Sequence, residues 1–571
     1  MLNIKKYMVM ACALLSLNGC DYLDYNETSG KTKEEAYAYY DNMNQLVAYV
    51  YTFLPSDLGS GYIMEAATDN CIYTQENANI NYMTNGVWSP LKRVDDAWNL
   101  WDGIRSANSF LENYDPEALK RFEYNDDYKE IMEKSSKFPY EVRFLRAFYL
   151  FELAKRYGDI PLLTRTYTQE EINSVKQTPF NEVIDFIAEE CSEIAPELPV
   201  NQMDFWDETG RITCGAALAL KSRALLYAAS ELHNPDNDLS KWEKAARAAH
   251  EVIALNEYSL PEITADPLYS DKGGNEIFKS KQLILERRNT DLTNSFEARN
   301  QPMGYAETSA KGGNTPTQNL VDAYEMKDGT PFDWSNPAHV SNMYYDAEGK
   351  PTRDPRLYKN VLTNGSVWLE QKVETFEGGK NKIMEGSTKT GYYLRKWMNP
   401  SVSLDPVKPN KIEHHYILFR YAEILLNYAE ALNEWKGPDV KPEGCTLTAI
   451  EALNKVRASA TMEGVAAAGQ DDFRKKVRNE RRVELALEGH RFYDIRRWKI
   501  AGDDEVRNLY GVKIRKSGDD ELSFEKVLIG TMYWANKMYL YPYPQNELYM
   551  NENLVQNLSL IHISEPTRRV V

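Results

Sequence analysis

Seven histidines, six cysteines and 85 acidic residues are the groups with which this 571-residue chain could do chemistry. Their spacing gives no catalytic or metal centre. The histidines are scattered at 233, 250, 339, 414, 415, 490 and 562, and the adjacent His414 and His415 cannot share the i, i+4 face that a helical metal site uses. HExxH, GxSxG, GxGxxG and Walker patterns do not occur, so no metal, cofactor or enzymatic activity is expected. Paired carboxylates for glycoside hydrolysis are defined by separation in space, which leaves a surface glycoside hydrolase as an alternative without positive support. The densest motif is Glu480–Trp498, ERRVELALEGHRFYDIRRW. A helical reading puts Glu480, Glu484 and Glu488 on one face with Gly489 as its C-cap. The acids and arginines there read first as ties between neighbouring segments, and only second as acid/base groups or an anion clamp.

The elements that must position these groups are mostly amphipathic helices. Ile417, Leu418, Tyr421, Ile424, Leu425, Tyr428 and Leu432 step by three and four, which predicts a helix over 417–432. Others are predicted at 92–113, 139–157, 178–195, 214–231, 240–255 and 446–458. Ala216–Ser230 and Trp242–Leu255, with Ala245 and Ala249 at close-packing positions, resemble a tetratricopeptide helix pair in degenerate form. The span 301–400 differs: it holds ten of the 30 Gly, with few helical stripes. Loops and short strands are expected there, and long loops on a rigid scaffold are where binding sites usually sit.

Both termini stand apart. Lys5 and Lys6 followed by apolar Tyr7–Leu17 read as a secretory signal, too short to span a bilayer. It ends Leu17-Asn18-Gly19-Cys20, which resembles a bacterial lipobox with Cys20 as the acylated residue. Asp21 and Asp24 resemble the surface-export signal of Bacteroidetes lipoproteins. Cys12 would leave with the signal; Cys71, Cys191, Cys214 and Cys445 form no CxxC, so neither a zinc site nor a disulfide scaffold is indicated, and pairing among the four stays open. Leu558–Val571, LSLIHISEPTRRVV, breaks composition and resembles a translated sequencing adapter. Without residues 1–19 and 558–571, 63 basic and 84 acidic residues remain, a charge of −21 over 538 residues. That balance argues against nucleic acid as a partner. Tyr (38) outnumbers Phe (18), beside 11 Trp, and such rings join an apolar face to a polar edge.

The Glu480–Trp498 motif resembles the C-terminal signature of the SusD/RagB family of Bacteroidetes surface lipoproteins. Further stretches match in order: WNLWDGIRSANSFL (98–111), EVRFLRAFYLFELAKRYGDIPLL (141–163), GRITCGAALALKSRALLYAAS (210–230), PTQNLVDAYEMKDG (316–329), DPRL (354–357), FRYAEILLNYAEALNE (419–434) and LYPYPQNELYMNENLVQN (540–557). The resemblance covers 20–557, which divides into an N-terminal part of about 20–255 and a loop-rich and C-terminal part of about 256–557. The family commonly ends with Pro-Gly and an aromatic residue, which Leu558 onward replaces.

The resemblance implies a mainly α fold of tetratricopeptide-like helix pairs, carrying a loop-rich region with few short strands. It implies an outer-membrane, lipid-anchored protein facing the exterior. Such proteins bind oligosaccharides, or in the RagB branch peptides, as the lid of a SusC-like TonB-dependent transporter, and do not cleave them. Asp69–Pro90 resembles the family loop that often faces ligand, so Trp88 is expected as a stacking platform, Tyr82 as a second ring and Asp69 as a hydroxyl partner. Tyr305 and Trp334 are the candidates from the middle region. Trp98 and Trp101, at helical spacing, are expected in the core.

Overall fold

A computed structural model describes residues 32–557, apart from 60, 202–209, 272–273, 306–310, 385 and 519–520. The expected signal segment, the lipidation residue Cys20 and the tail 558–571 lie outside the described residues. The main helices are α1 (Tyr40–Tyr51), α2 (Leu100–Asn113), α3 (Tyr128–Tyr157), α4 (Phe180–Ile194), α5 (Cys214–Ala229), α6 (Leu239–Ala254), α7 (Tyr421–Lys436), α8 (Ala449–Ser459), α9 (Gln470–Glu484) and α10 (His490–Arg497).

Consecutive helices pack as pairs: α2 on α3, α4 on α5, α5 on α6, and α7 on α8, with α7 also lying on α6. The small faces of Ala245, Ala246 and Ala249 let α6 approach its neighbours, and Trp242, Val252 and Ile253 fill the spaces between. Each fully buried large apolar side chain contributes about 1.5–3 kcal/mol. Thr213 caps α5 by accepting the Ala216 amide, and a capping box of Thr448 and Glu451 starts α8.

Three sequence expectations are corrected. The helix predicted at 92–113 begins only at Leu100, because Asp95 and Ala97 take left-handed backbone angles, φ 46° and 51°. The helix predicted from 139 begins at Tyr128 and carries Pro139 inside it. Proline cannot donate to the carbonyl four residues back, and the Tyr114 hydroxyl donates to that Ser135 carbonyl instead, at 2.9 Å. Residues 416–420 form a strand, followed directly by α7. All five are buried, so no alternation marks them as a strand.

Most strands are short, among them β1 (Ala67–Thr68), β2 (Cys71–Tyr73), β3 (Leu283–Arg287), β4 (Asn314–Pro316) and β5 (Tyr416–Arg420), whereas the hairpin of β6 (Asn508–Ser517) and β7 (Glu521–Thr531) has strands of 10 and 11 residues. β1, β2 and β4 make one antiparallel sheet, with Tyr73 opposite Asn314 and Cys71 opposite Pro316. β3 pairs with β5 beneath α7. The fold is mainly α, with loops and short strands concentrated between α6 and α7. The thiols of Cys71, Cys191, Cys214 and Cys445 are free.

Candidate ligand-binding face

The sheet β1–β2–β4 brings two tyrosines and an arginine together. Tyr73 ends β2, Tyr62 lies in the loop before β1, and their half-buried rings meet edge to face at 5.9 Å and 76°. Arg299, on the short helix Ser295–Asn300, donates to the Gly59 carbonyl at 3.3 Å. Gly61 (φ +95°) makes this approach possible: a Cβ there would stand 2.6 Å from the Arg299 Nη1 and 3.2 Å from the Tyr73 hydroxyl. Gly313 plays the same part opposite, where a Cβ would stand 2.8 Å from the Tyr73 ring. Burial raises the Tyr73 hydroxyl pKa, while the nearby Arg299 cation pulls it back. Burial also raises Tyr62, with Asp95 and Asp57 adding to the effect. Both phenols therefore stay neutral near pH 7 and can donate or accept a hydrogen bond.

Buried amides hold the cluster. Asn314 accepts the Ile63 amide at 3.0 Å and donates to the Gly61 carbonyl at 2.8 Å and to Asn300 Oδ1 at 2.7 Å. The Thr74 amide and hydroxyl donate to the carbonyls of Gly313 (2.8 Å) and Gly312 (3.0 Å). Asn81 closes the loop after β2 by donating to the Gln75 and Glu76 carbonyls. Tyr82 follows, half buried, with Lys92 Nζ 5.3 Å over its ring. An exposed Glu76–Lys389 pair at 2.9 Å crosses to the loop-rich region.

The other expected binding residues are placed elsewhere. Trp88 is 4% exposed, with its ring edge-on to Tyr541 at 4.8 Å, so it is a core residue and presents no face to solvent. Tyr305 is buried, and its hydroxyl donates to the Trp368 carbonyl at 3.2 Å. Trp334 is half buried, with its indole N–H shared between the carboxylate oxygens of Asp322 at 3.0 and 3.1 Å. Trp98 and Trp101, expected in the core, are only half buried. Tyr62, Tyr73 and Arg299 were missed, although Tyr73 lies inside the Asp69–Pro90 segment.

Asp69 is 1% exposed and faces inward. Arg491 grips it with two bonds, Nε to Oδ1 at 2.9 Å and Nη2 to Oδ2 at 2.8 Å, and Arg482 Nη2 adds a third at 2.9 Å. Burial alone would raise the Asp69 pKa, but Arg482 and Arg491 outweigh it and hold the carboxyl below its ordinary value. Arg482 Nε also donates to Asn70 Oδ1, and the Gly489 amide donates to Glu65. The 480–498 segment thus clamps the turn between β1 and β2, the strand that Tyr73 ends.

That segment is a buried ionic lattice. Arg356 pairs with Glu480 (2.5 Å) and Glu484 (2.9 Å), Arg420 with Glu484 (2.6 Å) and Glu488 (2.8 Å), and Arg497 with Glu430 (2.6 Å) and Asp494 (2.8 Å). Glu484 is drawn down to about 2, as Arg420 and Arg356 overcome the cost of burial. The single helical face expected for the three acids is corrected: α9 ends at Glu484, Leu487 is left-handed (φ 65°), and Glu488 lies in the turn. Gly489 (φ 82°) precedes α10 and does not cap α9.

A scaffold of stacked helix pairs carrying a loop-rich region is a fold shared with known proteins. The SusD family model matches residues 277–559. SusD-like protein P2 of Formosa agariphila is 25% identical over 434 residues, covering 72% of each chain. SusD-like protein P25 of the same organism is 23% identical over 542 residues, 88% of this chain and 91% of that one. A solved SusD-like protein from Bacteroides fragilis superposes with a TM-score of 0.73 at 27% identity, covering 92% of this chain and 98% of its own. A solved laminarin-binding SusD-like protein shares the fold at 21% identity and a TM-score of 0.62, covering 91% and 99%. The chain belongs to the SusD/RagB family. Among the described residues, no helix is long and apolar enough to cross a membrane.

Proposed function

We propose that this protein binds oligosaccharides without cleaving them, through a face built on Tyr62, Tyr73 and Arg299. In this reading it is held at the outer membrane by acylated Cys20 and passes its ligand to a SusC-like TonB-dependent transporter, over which it acts as a lid. The observation that carries the binding role is the Tyr62–Tyr73–Arg299 cluster, locked on a short sheet by buried amides. A pyranose offers apolar C–H faces for tyrosine rings and hydroxyls for a guanidinium, and a preorganised site loses less freedom on binding. Family membership supports the same role, and the solved laminarin-binding protein makes laminarin the first glycan to try.

Affinity gels containing laminarin and other plant and host glycans test the proposal. Retarded migration that is lost in Tyr73→Ala, with no release of reducing ends on long incubation, supports it. Product release would establish a hydrolase instead. Capture of peptides with no glycan retarded would favour the RagB-like alternative. Co-purification with a TonB-dependent transporter tests the lid role, and its failure from a membrane extract would remove that part.

A further inference from the structure

A cleft of about 470 Å³, lined by no residue of the sheet, lies between the start of α2, the 161–175 segment and the C-terminal 543–554 segment. Such a volume falls within the range of small-molecule sites. Its floor is aromatic. Trp98 meets Trp101 at 6.0 Å and 70°, and Tyr543 at 6.0 Å and 78°. Edge-to-face contacts at these angles make a corner, and both indoles stay half buried at the cleft. The Trp101 indole N–H is buried and has no hydrogen-bond partner among the described residues, which leaves a donor unspent.

The polar groups around the floor are mostly committed. Asn551 donates to the Ile172 and Val175 carbonyls, Asn108 to those of Leu163 and Arg165, and Arg165 pairs with Glu171 at 2.8 Å. Arg105 differs. It lines the cleft one helical turn beyond Trp101, is exposed, and forms no ion pair among the described residues. Asp102 and Glu547 on the same rim make the cleft a poor place for a polyanion.

We infer that this cleft is a second binding site, separate from the sheet face, for a pyranose ring bearing one carboxylate, a uronic acid residue. The aromatic corner takes the C–H face of the ring, and Arg105 takes the carboxylate through charge-assisted hydrogen bonds. A neutral sugar would offer Arg105 only hydroxyl acceptors, whose hydrogen bonds are weaker than the charge-assisted pair with a carboxylate.

Titration of the full chain with methyl galacturonoside, methyl galactoside and phenylacetate, followed by tryptophan fluorescence, tests this. The galacturonoside should bind at least about tenfold more tightly than the galactoside, and Arg105→Gln should erase that difference. Arg105 is exposed, so this variant should fold. Met550→Glu, at a lining side chain 55% exposed, should weaken the galacturonoside by charge repulsion. Tyr73→Ala should leave it unchanged, so failure of the sheet-face reading and failure of this one are separable. Equal affinity for acidic and neutral sugars, no effect of Arg105→Gln, no galacturonoside binding, or binding of phenylacetate alone would each overturn the inference.

Discussion

Replacing Asp69 by Asn separates two roles that this residue could have. If it serves ligand hydroxyls, Asp69→Asn weakens glycan binding and leaves stability alone. The structure gives the opposite outcome, because the carboxylate is 1% exposed and accepts three bonds from Arg482 and Arg491. Removing one partner of a buried pair costs about 3–5 kcal/mol, since the other charges are left uncompensated. Asn keeps the shape and one acceptor, so a loss of about 3 kcal/mol in urea unfolding is expected, at the lower end of that range. The pH dependence gives a second handle. The Asp69 pKa is lower folded than unfolded, so its contribution is present above about pH 4, the unfolded value, and is lost as pH falls through the folded one. The variant should lose this acid-side slope. Amide exchange across 65–74 should also accelerate, since Arg482 and Arg491 anchor that turn. A loss under about 1 kcal/mol with unchanged exchange would refute the clamp, given the cost expected for a buried charge left unpaired.

Other outcomes follow from the same geometry. Asp57, half buried in the loop after α1, is pushed up to about 7 by loss of solvation and by the negative charge of Asp95. A raised carboxyl pKa means that stability falls as pH rises from about 4 to that value, so Asp57→Asn should flatten urea midpoints over this window, and parallel curves would contradict the assignment. Trp88→Ala should cost about 3–5 kcal/mol as a core deletion, whereas a near-neutral urea result would restore it to the surface. Gly61→Ala, which places a methyl against Arg299 in a left-handed backbone, should destabilise by about 1–3 kcal/mol and weaken glycan binding together. Retention of wild-type affinity by Gly61→Ala on the gel would show that the close approach is unnecessary.

The helical scaffold was largely legible in the sequence. Val183, Ile184, Ile187, Cys191 and Ile194 recur at helical spacing in α4, and α5 and α6 begin and end within two residues of their predicted bounds. Where the sequence misled, the cause was local. Left-handed residues such as Ala97 and Leu487 carry no sequence mark, and the fully buried strand 416–420 has the same apolar run as a helix. The candidate binding face was less legible because its contacts are distant in sequence. Asp69 is 413 and 422 residues from Arg482 and Arg491, so a carboxylate in a ligand-loop segment looked available to solvent. Trp88 misled likewise, because an aromatic between Gly86 and Pro90 reads as a loop ring until Tyr541 is seen against it.

The central claim, that glycan is held by Tyr62, Tyr73 and Arg299, is tested most directly by amide exchange with and without a saturating glycan identified on the gels. The account predicts protection confined to 59–76 and 295–300. Protection confined to 98–105 and 161–175, or none despite measured binding, would contradict it.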